Sequence, residues 1–235
     1  MLKPSLEEVK ALAKQYNTIP VFYEFSADNQ TPLNIYTALS KDSRNSFILE
    51  SVSNGVQWDR YSFVGVSPKE EICITGNTAE IRTGDKIETK EVEQPIAFLK
   101  ERMAAYRSPV LEGAPNFTGG LIGYFGYDTV RYMEKKLTHV PEDDIHMPDC
   151  RLFLYEELLA YDHLTSNGIV ILNLHTDGDL GAQYAAAQWR AEELADIVRH
   201  YNPQPQVRQH HGESVVRSNL TKEQYSQMVR DAKEY

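Results

Sequence analysis

A short stretch near the start of the chain combines residue types that could recognise a free amino acid. Glu50 and Ser51 end an apolar run, and Arg60 follows after a polar turn. The Glu50 carboxylate suits an ammonium group, the Ser51 hydroxyl can donate or accept, and the Arg60 guanidinium matches a carboxylate. The residue pattern alone favours a simpler alternative, which is a surface ion pair between Glu50 and Arg60 across two strands. Such a pair contributes little to stability.

A second distinctive segment, the glycine-rich run Gly119–Asp128, is predicted to serve packing. Its spacing is GGxxGxxG, which differs from the GxGxxG of dinucleotide-binding turns, and it lacks the Gly-Lys-Ser/Thr of phosphate-binding loops. Glycine within a strand allows another backbone to approach closely. We therefore predict a strand that packs tightly against its neighbour.

No catalytic or metal-binding set can be nominated from residue spacing. Glu156 and Glu157 are adjacent, so on a strand they would point to opposite faces and could not act on one bond. The pair Asp143–Asp144 lies in a charged loop, where solvated carboxylates are common. The seven histidines form no HxH or HxxxH pattern. We predict no catalytic residue and no metal ligand in this chain.

Composition limits the classes of function that fit. The 235 residues allow one large domain or two small ones, and a hydrophobic fraction of 41% is ordinary for a globular protein. A net charge of −10 argues against a nucleic-acid-binding surface. The start of the chain is charged and amphipathic, and no apolar run is long enough to span a membrane. Cys73 and Cys150 are far apart, so we expect two free thiols in a cytoplasmic protein.

The elements that must position these residues are predicted to form an α+β fold, with antiparallel sheet and flanking helices. The β-rich part is predicted as one meander, because turn signals separate its short strands. Those strands are Phe47–Val52, Tyr61–Val66, Ile72–Thr75, Ala79–Arg82 and Lys86–Val92. Two longer strands, Arg151–Tyr161 and Gly168–Leu174, and an amphipathic helix over 179–201 follow.

The last part of the chain predicts the start of a second domain. Residues 204–217 are rich in Pro, Gln and His, which is typical of a linker. A capping box at Thr221–Gln224 then opens a helix whose apolar stripe has no partner in the sequence. We expect one domain over 1–203, a linker over 204–217 and the beginning of another domain over 218–235, within a longer protein.

Several segments, taken in their order along the chain, resemble the N-terminal region of anthranilate synthase component I. The matching segments are Ile48–Ser51, Arg60–Gly65, Phe117–Asp128, Pro148–Leu152, Tyr161–His163 and Ser218–Tyr225. Each motif is weak by itself, but the combination in this order is specific. The resemblance covers the chain from Ile19 to its end.

The resemblance implies a function for the full-length protein. Members of the family convert chorismate to anthranilate and pyruvate, a lyase reaction that uses Mg²⁺ and ammonia from a glutamine amidotransferase, component II. L-Tryptophan inhibits them, and the matching positions of its site are Leu49, Glu50, Ser51 and Arg60. Ser51 matches the family's position that contacts tryptophan, so the resemblance implies this role for it. In the family, the chorismate-binding core follows the matched region. The resemblance therefore carries over no catalytic residue and no Mg²⁺ ligand. It implies that this chain alone is inactive.

Two alternatives remain at the level of the sequence. Aminodeoxychorismate synthase component I, a folate-pathway relative, shares the glycine-rich strand, although Asp128–Arg131 and Met147–Asp149 fit the anthranilate branch better. A stand-alone amino-acid-binding regulatory module would need no catalytic half. The coding sequence after Tyr235 would separate the last alternative from the other two.

Overall fold

The structure, a computed structural model, describes residues 1–50, 60–134, 136–138, 142–143, 145–203 and 217–234. The α-helices in this part of the chain are α1 Leu6–Leu12, α2 Pro32–Leu39, α3 Pro95–Ala104, α4 Leu180–Arg199 and α5 Lys222–Glu234. The strands are β1 Thr18–Ser26, β2 Ser46–Leu49, β3 Tyr61–Val66, β4 Glu70–Thr75, β5 Thr78–Thr83, β6 Lys86–Glu91, β7 Gly120–Phe125, β8 Cys150–Tyr155, β9 Glu157–Asp162 and β10 Asn167–His175. A 3-10 helix spans Tyr127–Tyr132.

The first sheet has the strand order β1-β10-β9-β3-β2, and every pairing is antiparallel. Its helix-facing side packs against α1, α2 and α4 through side chains with no exposed surface, such as Val9, Ile35 and Val198. Each buried aliphatic side chain of this kind stabilises the fold by about 1.5–3 kcal/mol. Helix α1 begins with a capping box, in which Ser5 N–H donates to the Glu8 carboxylate and Ser5 Oγ accepts from Glu8 N–H.

The second sheet has the order β6-β5-β4-β8-β7, again antiparallel throughout. Ile72 and Ile74 of β4 and Leu152 of β8 are buried with Leu99 of α3 in its core. Between this sheet and the first lies a cluster that includes Tyr155 and several half-buried aromatic rings. The predicted fold class, α+β with antiparallel sheets and flanking helices, is confirmed.

The predicted single meander is wrong, because its strands divide between the two sheets. Strands β2 and β3 form a hairpin in the first sheet, whereas β4, β5 and β6 form a meander in the second. The segment Ser67–Pro68, one of the turn signals between those strands, is where the chain passes from one sheet to the other. Turn residues reveal that the chain changes direction, but they do not identify the next partner strand.

The predicted continuous strand Arg151–Tyr161 is also divided. Strand β8 belongs to the second sheet and β9 to the first, with Glu156 between them. The Asn173 side-chain amide donates to the Glu156 carbonyl over 2.9 Å and to the Thr118 carbonyl over 2.7 Å. The Glu156 carbonyl also accepts from Asn173 N–H over 3.1 Å, so Asn173 holds the crossing between the sheets through both its backbone and its side chain.

The glycine-rich strand packs as predicted. A Cβ atom placed on Gly123 of β7 would lie 2.0 Å from the carbonyl oxygen of Arg151 in the neighbouring β8. At the start of the strand, Gly119 has φ +151, a backbone conformation that favours glycine. The glycines therefore permit a backbone approach that a larger residue would prevent.

Contacts divide the chain into two compact units, residues 1–202 and 203–235. In the second unit, Thr221 and Gln224 form the predicted capping box, with Thr221 N–H donating to the Gln224 side chain over 2.8 Å. No residue of α5 is buried. None of the helices in the described part of the chain is both long enough and apolar enough to cross a membrane.

Candidate functional site

The predicted amino-acid site lies at the end of the β2–β3 hairpin where β2 ends and β3 begins. Leu49 is the last residue of β2, lies opposite Phe63 of β3, and is 47% exposed. Glu50 follows it and is exposed. Ser51 lies outside the described residues, so the structure places three of the four predicted residues, Leu49, Glu50 and Arg60.

Arg60 precedes β3 and pairs with Asp162 at the end of β9. Its Nε donates to Oδ1 over 3.0 Å and its Nη2 donates to Oδ2 over 2.6 Å, which is a bidentate pair. Because both residues are described and no contact joins Arg60 to Glu50, the alternative of a Glu50–Arg60 ion pair is wrong. The Arg60 side chain stays 47% exposed, which leaves a guanidinium edge near solvent for a second anion.

Asp162 organises this corner, although sequence reasoning did not nominate it. The residue is 2% exposed, and its carboxylate also accepts from Leu164 N–H and the Thr165 hydroxyl, each over 3.0 Å. Burial acts to raise the pKa of Asp162, but the hydrogen bonds from Arg60, Leu164 and Thr165 outweigh it and hold the pKa below its ordinary value. An aspartate that begins a turn with threonine three residues later is a signal that could have identified it.

Aromatic side chains form the apolar part of this corner. The Phe63 and Phe117 rings meet edge to face with centroids 5.5 Å apart, and the Arg60 guanidinium carbon lies 5.0 Å from the Tyr61 ring centroid. Burial raises the pKa of Tyr61. The Arg60 guanidinium and the aromatic rings near it have the chemistry to hold a carboxylate and an aromatic side chain, and the exposed Glu50 follows the neighbouring strand β2.

The adjacent acids Glu156 and Glu157 have separate partners. The Glu156 carboxylate lies 2.8 Å from Lys69 Nζ and 3.0 Å from His175 Nε2. The Glu157 carboxylate pairs with Arg190 of α4 over 2.7 Å. The two acids therefore make ion pairs with different elements and do not act together, although Glu156 lies between β8 and β9 and not within one strand with Glu157. Within the described ranges, no group of three or more His, Cys, Asp or Glu side chains could hold a metal ion.

Comparison with known proteins identifies relatives along the whole chain. The family described as chorismate binding enzyme matches residues 45–235. Anthranilate synthase component 1 of Acetivibrio thermocellus is 36% identical over 247 residues, which cover 100% of this chain and 48% of that protein. Anthranilate synthase component 1 of Pseudomonas aeruginosa is 35% identical and is matched over 97% of this chain and 47% of its own length.

The fold has a solved counterpart. A crystal structure of anthranilate synthase component I from Streptococcus pneumoniae superposes with a TM-score of 0.51 at 23% identity, covering 87% of this chain and 43% of that one. This chain spans about half the length of the relatives that it matches. The resemblance found in the sequence motifs is confirmed by these relatives. Because the family matches residues 45–235, most of the sequence, the chain belongs to the chorismate binding enzyme family.

Proposed function

We propose that this chain is the N-terminal part of an anthranilate synthase component I, which converts chorismate to anthranilate and pyruvate. The observation that carries the proposal is the 36% identity with a protein of that name along the whole chain. The Pseudomonas relative bears the same name, which supports the anthranilate branch over aminodeoxychorismate synthase.

Within that protein, we propose that residues 1–203 form the regulatory domain, that 204–217 is a linker, and that 218–235 begins the chorismate-binding domain. Tryptophan would bind at Leu49, Glu50, Ser51 and Arg60. The exposed Glu50 carboxylate, the half-exposed Arg60 and the neighbouring aromatic rings support this assignment. Because chorismate and tryptophan would occupy different sites, their coupling would be reciprocal, each lowering the affinity for the other.

The chemistry itself is proposed to reside in the half of the relatives that this chain does not span. That half would supply the Mg²⁺ ligands and the catalytic residues. The partner would be a glutamine amidotransferase that delivers ammonia, and the complex would operate in the cytoplasm. The share of each relative that is matched, about half, supports this division.

A fusion protein tests the proposed function. The chain would be joined to the part of the Acetivibrio relative that follows the matched region, and given chorismate, ammonium and Mg²⁺. Anthranilate fluorescence is expected from the fusion and from the intact relative, and none from the 235-residue chain. Formation of aminodeoxychorismate by the fusion would contradict the anthranilate branch. Turnover by the chain alone would contradict the proposed division of labour.

A further inference from the structure

A separate cavity lies where the edge of the first sheet meets the second. Its volume is about 330 Å³, and its walls come from α2, β2, β7, β8 and the segment before β2. The aromatic, aliphatic and charged side chains in its walls are those of Tyr36, Arg44, Phe47, Ile122, Phe153 and Tyr155. Neither Glu50 nor Arg60 lines it, so the cavity is distinct from the proposed tryptophan site.

The walls are suited to a flat apolar ring. Phe47 and Tyr155 meet edge to face, with ring centroids 4.8 Å apart and an interplanar angle of 79°. Ile122 and Phe153 belong to adjacent paired strands and lie opposite each other in register. Aromatic walls favour stacked or edge-to-face contact with another ring. A volume at the small end of the range for ligand cavities fits a single ring with one or two substituents.

Arg44 supplies a positive charge at this cavity. Its side chain is exposed, and it forms no ion pair with any residue that the structure describes. A guanidinium is always charged in proteins and binds a carboxylate through two parallel hydrogen bonds. A ligand carboxylate at the mouth of the cavity would therefore gain a partner without displacing one from the protein.

Tyr155 supplies an unused polar group inside the cavity. The residue is 2% exposed, and no hydrogen bond joins its hydroxyl to another residue in the described ranges. Burial, and to a smaller extent the neighbouring Tyr36, raises the pKa of Tyr155 to about 12, so the phenol stays protonated and can donate. Tyr36 shares its own hydroxyl with Ser46 over 3.1 Å. The Tyr155 hydroxyl is not among the buried polar atoms that lack a partner in the described ranges, so it reaches the space of the cavity, where a polar group on a ligand can accept its hydrogen bond.

We propose that this cavity binds a small aromatic carboxylate with one ring and a hydroxyl or amino substituent. The ring lies among Phe47, Phe153 and Tyr155, the carboxylate meets Arg44, and the substituent meets the Tyr155 hydroxyl. This site does not depend on the proposed function, because none of its residues belongs to the tryptophan site.

The first test uses benzoate, the three hydroxybenzoates and neutral benzamide as probes. The full 235-residue chain would be titrated with each, while amide NMR shifts of residues 44–47 and 122–123 are followed. Arg44→Ala is expected to weaken binding of the acids by about tenfold, since it removes a charge-assisted hydrogen-bonding group, and to leave benzamide unaffected. Lys86→Ala is the matched control, because Lys86 is an exposed cation at the start of β6, away from the cavity.

The second test removes only the Tyr155 hydroxyl. Tyr155→Phe loses no hydrogen bond within the described protein, so the fold should persist, as the amide spectrum would verify. The best-binding hydroxybenzoate should lose its advantage over benzoate, while benzoate keeps its affinity. The proposal is overturned if no probe shifts residues 44–47, or if Arg44→Ala binds the acids as well as the unmodified chain. Shifts confined to Leu49 and Glu50 would assign the acids to the other site and would also overturn it.

Discussion

Arg60 shows which features of the candidate site can be predicted from residue types alone. The sequence shows an arginine after a polar turn, and the structure places this residue, Arg60, directly before β3. Its partner Asp162 was not predicted, because the two residues are 102 positions apart and only the pairing of β3 with β9 brings them together. Charge type is visible in a sequence, whereas a partner of this kind depends on the order of strands in the sheet.

The Arg60–Asp162 pair predicts a defined pH dependence of stability. The folded pKa of Asp162 lies below its ordinary value, so its stabilising effect is present above the ordinary pKa and is lost as the pH falls through the folded pKa. Asp162→Asn should lower the free energy of unfolding at pH 7 by about 1–3 kcal/mol, because a buried charged acceptor of several hydrogen bonds is replaced. Urea unfolding at several pH values should show this difference shrinking below about pH 4.

Asp85→Asn is the control for that experiment, since Asp85 is an exposed aspartate in the turn between β5 and β6. Its effect should be small at every pH, as is usual for surface positions. A difference between Asp162→Asn and the unmodified chain that stays constant from pH 7 to the acid range would contradict the role given to Asp162.

A second prediction at the residue scale concerns tryptophan. If the far wall of the proposed site comes from the half of the relatives not matched here, the 235-residue chain should bind tryptophan weakly or not at all. Calorimetry would measure this, with the fusion protein as the comparison. Tight binding by the chain alone that is lost in Ser51→Ala would show that the pocket is complete within these residues.

Among the elements, the helix starts were the most predictable. The capping boxes at Ser5–Glu8 and Thr221–Gln224 are both present, because each needs only residues three positions apart. Most of the shorter strands were predicted close to their observed bounds, but Arg151–Tyr161 was predicted as one strand, and the distribution of strands between the two sheets was not predicted. Strand β1 pairs with β10 near the far end of the domain, and alternating burial carries no information on such a partner.

Two glycine substitutions should lower the free energy of unfolding by different amounts, because Gly123 of β7 lies against another strand and Gly84 does not. Gly123→Ala would place a Cβ 2.0 Å from the Arg151 carbonyl, so β7 must move away from β8, which should cost about 1–3 kcal/mol or more. Gly84→Ala meets no atom within 4 Å and carries only the strain of its φ of +57, about 1 kcal/mol. Thermal and urea unfolding of both variants would measure the difference. Equal losses would mean that β7 adjusts freely.

For residues 1–202 as a whole, the two sheets should unfold together. They share the continuous segment from β8 through Glu156 to β9, and a mixed cluster that includes Tyr155 and Leu158 joins their packing. Native-state hydrogen exchange should therefore give the amides of Ile72 and Ile74 in β4 and of Val170 in β10 similar opening free energies. Clearly faster opening of β4 than of β10 would show that the second sheet opens by itself.

The single residue between β8 and β9 also limits how this chain can vary in length. Tyr155, Glu156 and Glu157 each contact a different neighbour: Phe47, Lys69 and Arg190 respectively. One residue added or removed here would exchange the inward and outward faces of an entire strand, since side chains alternate with a period of two. Surface turns of this protein can gain residues one at a time during evolution. At Glu156, an insertion or deletion of one residue would require the polar and apolar positions of a whole strand to be exchanged.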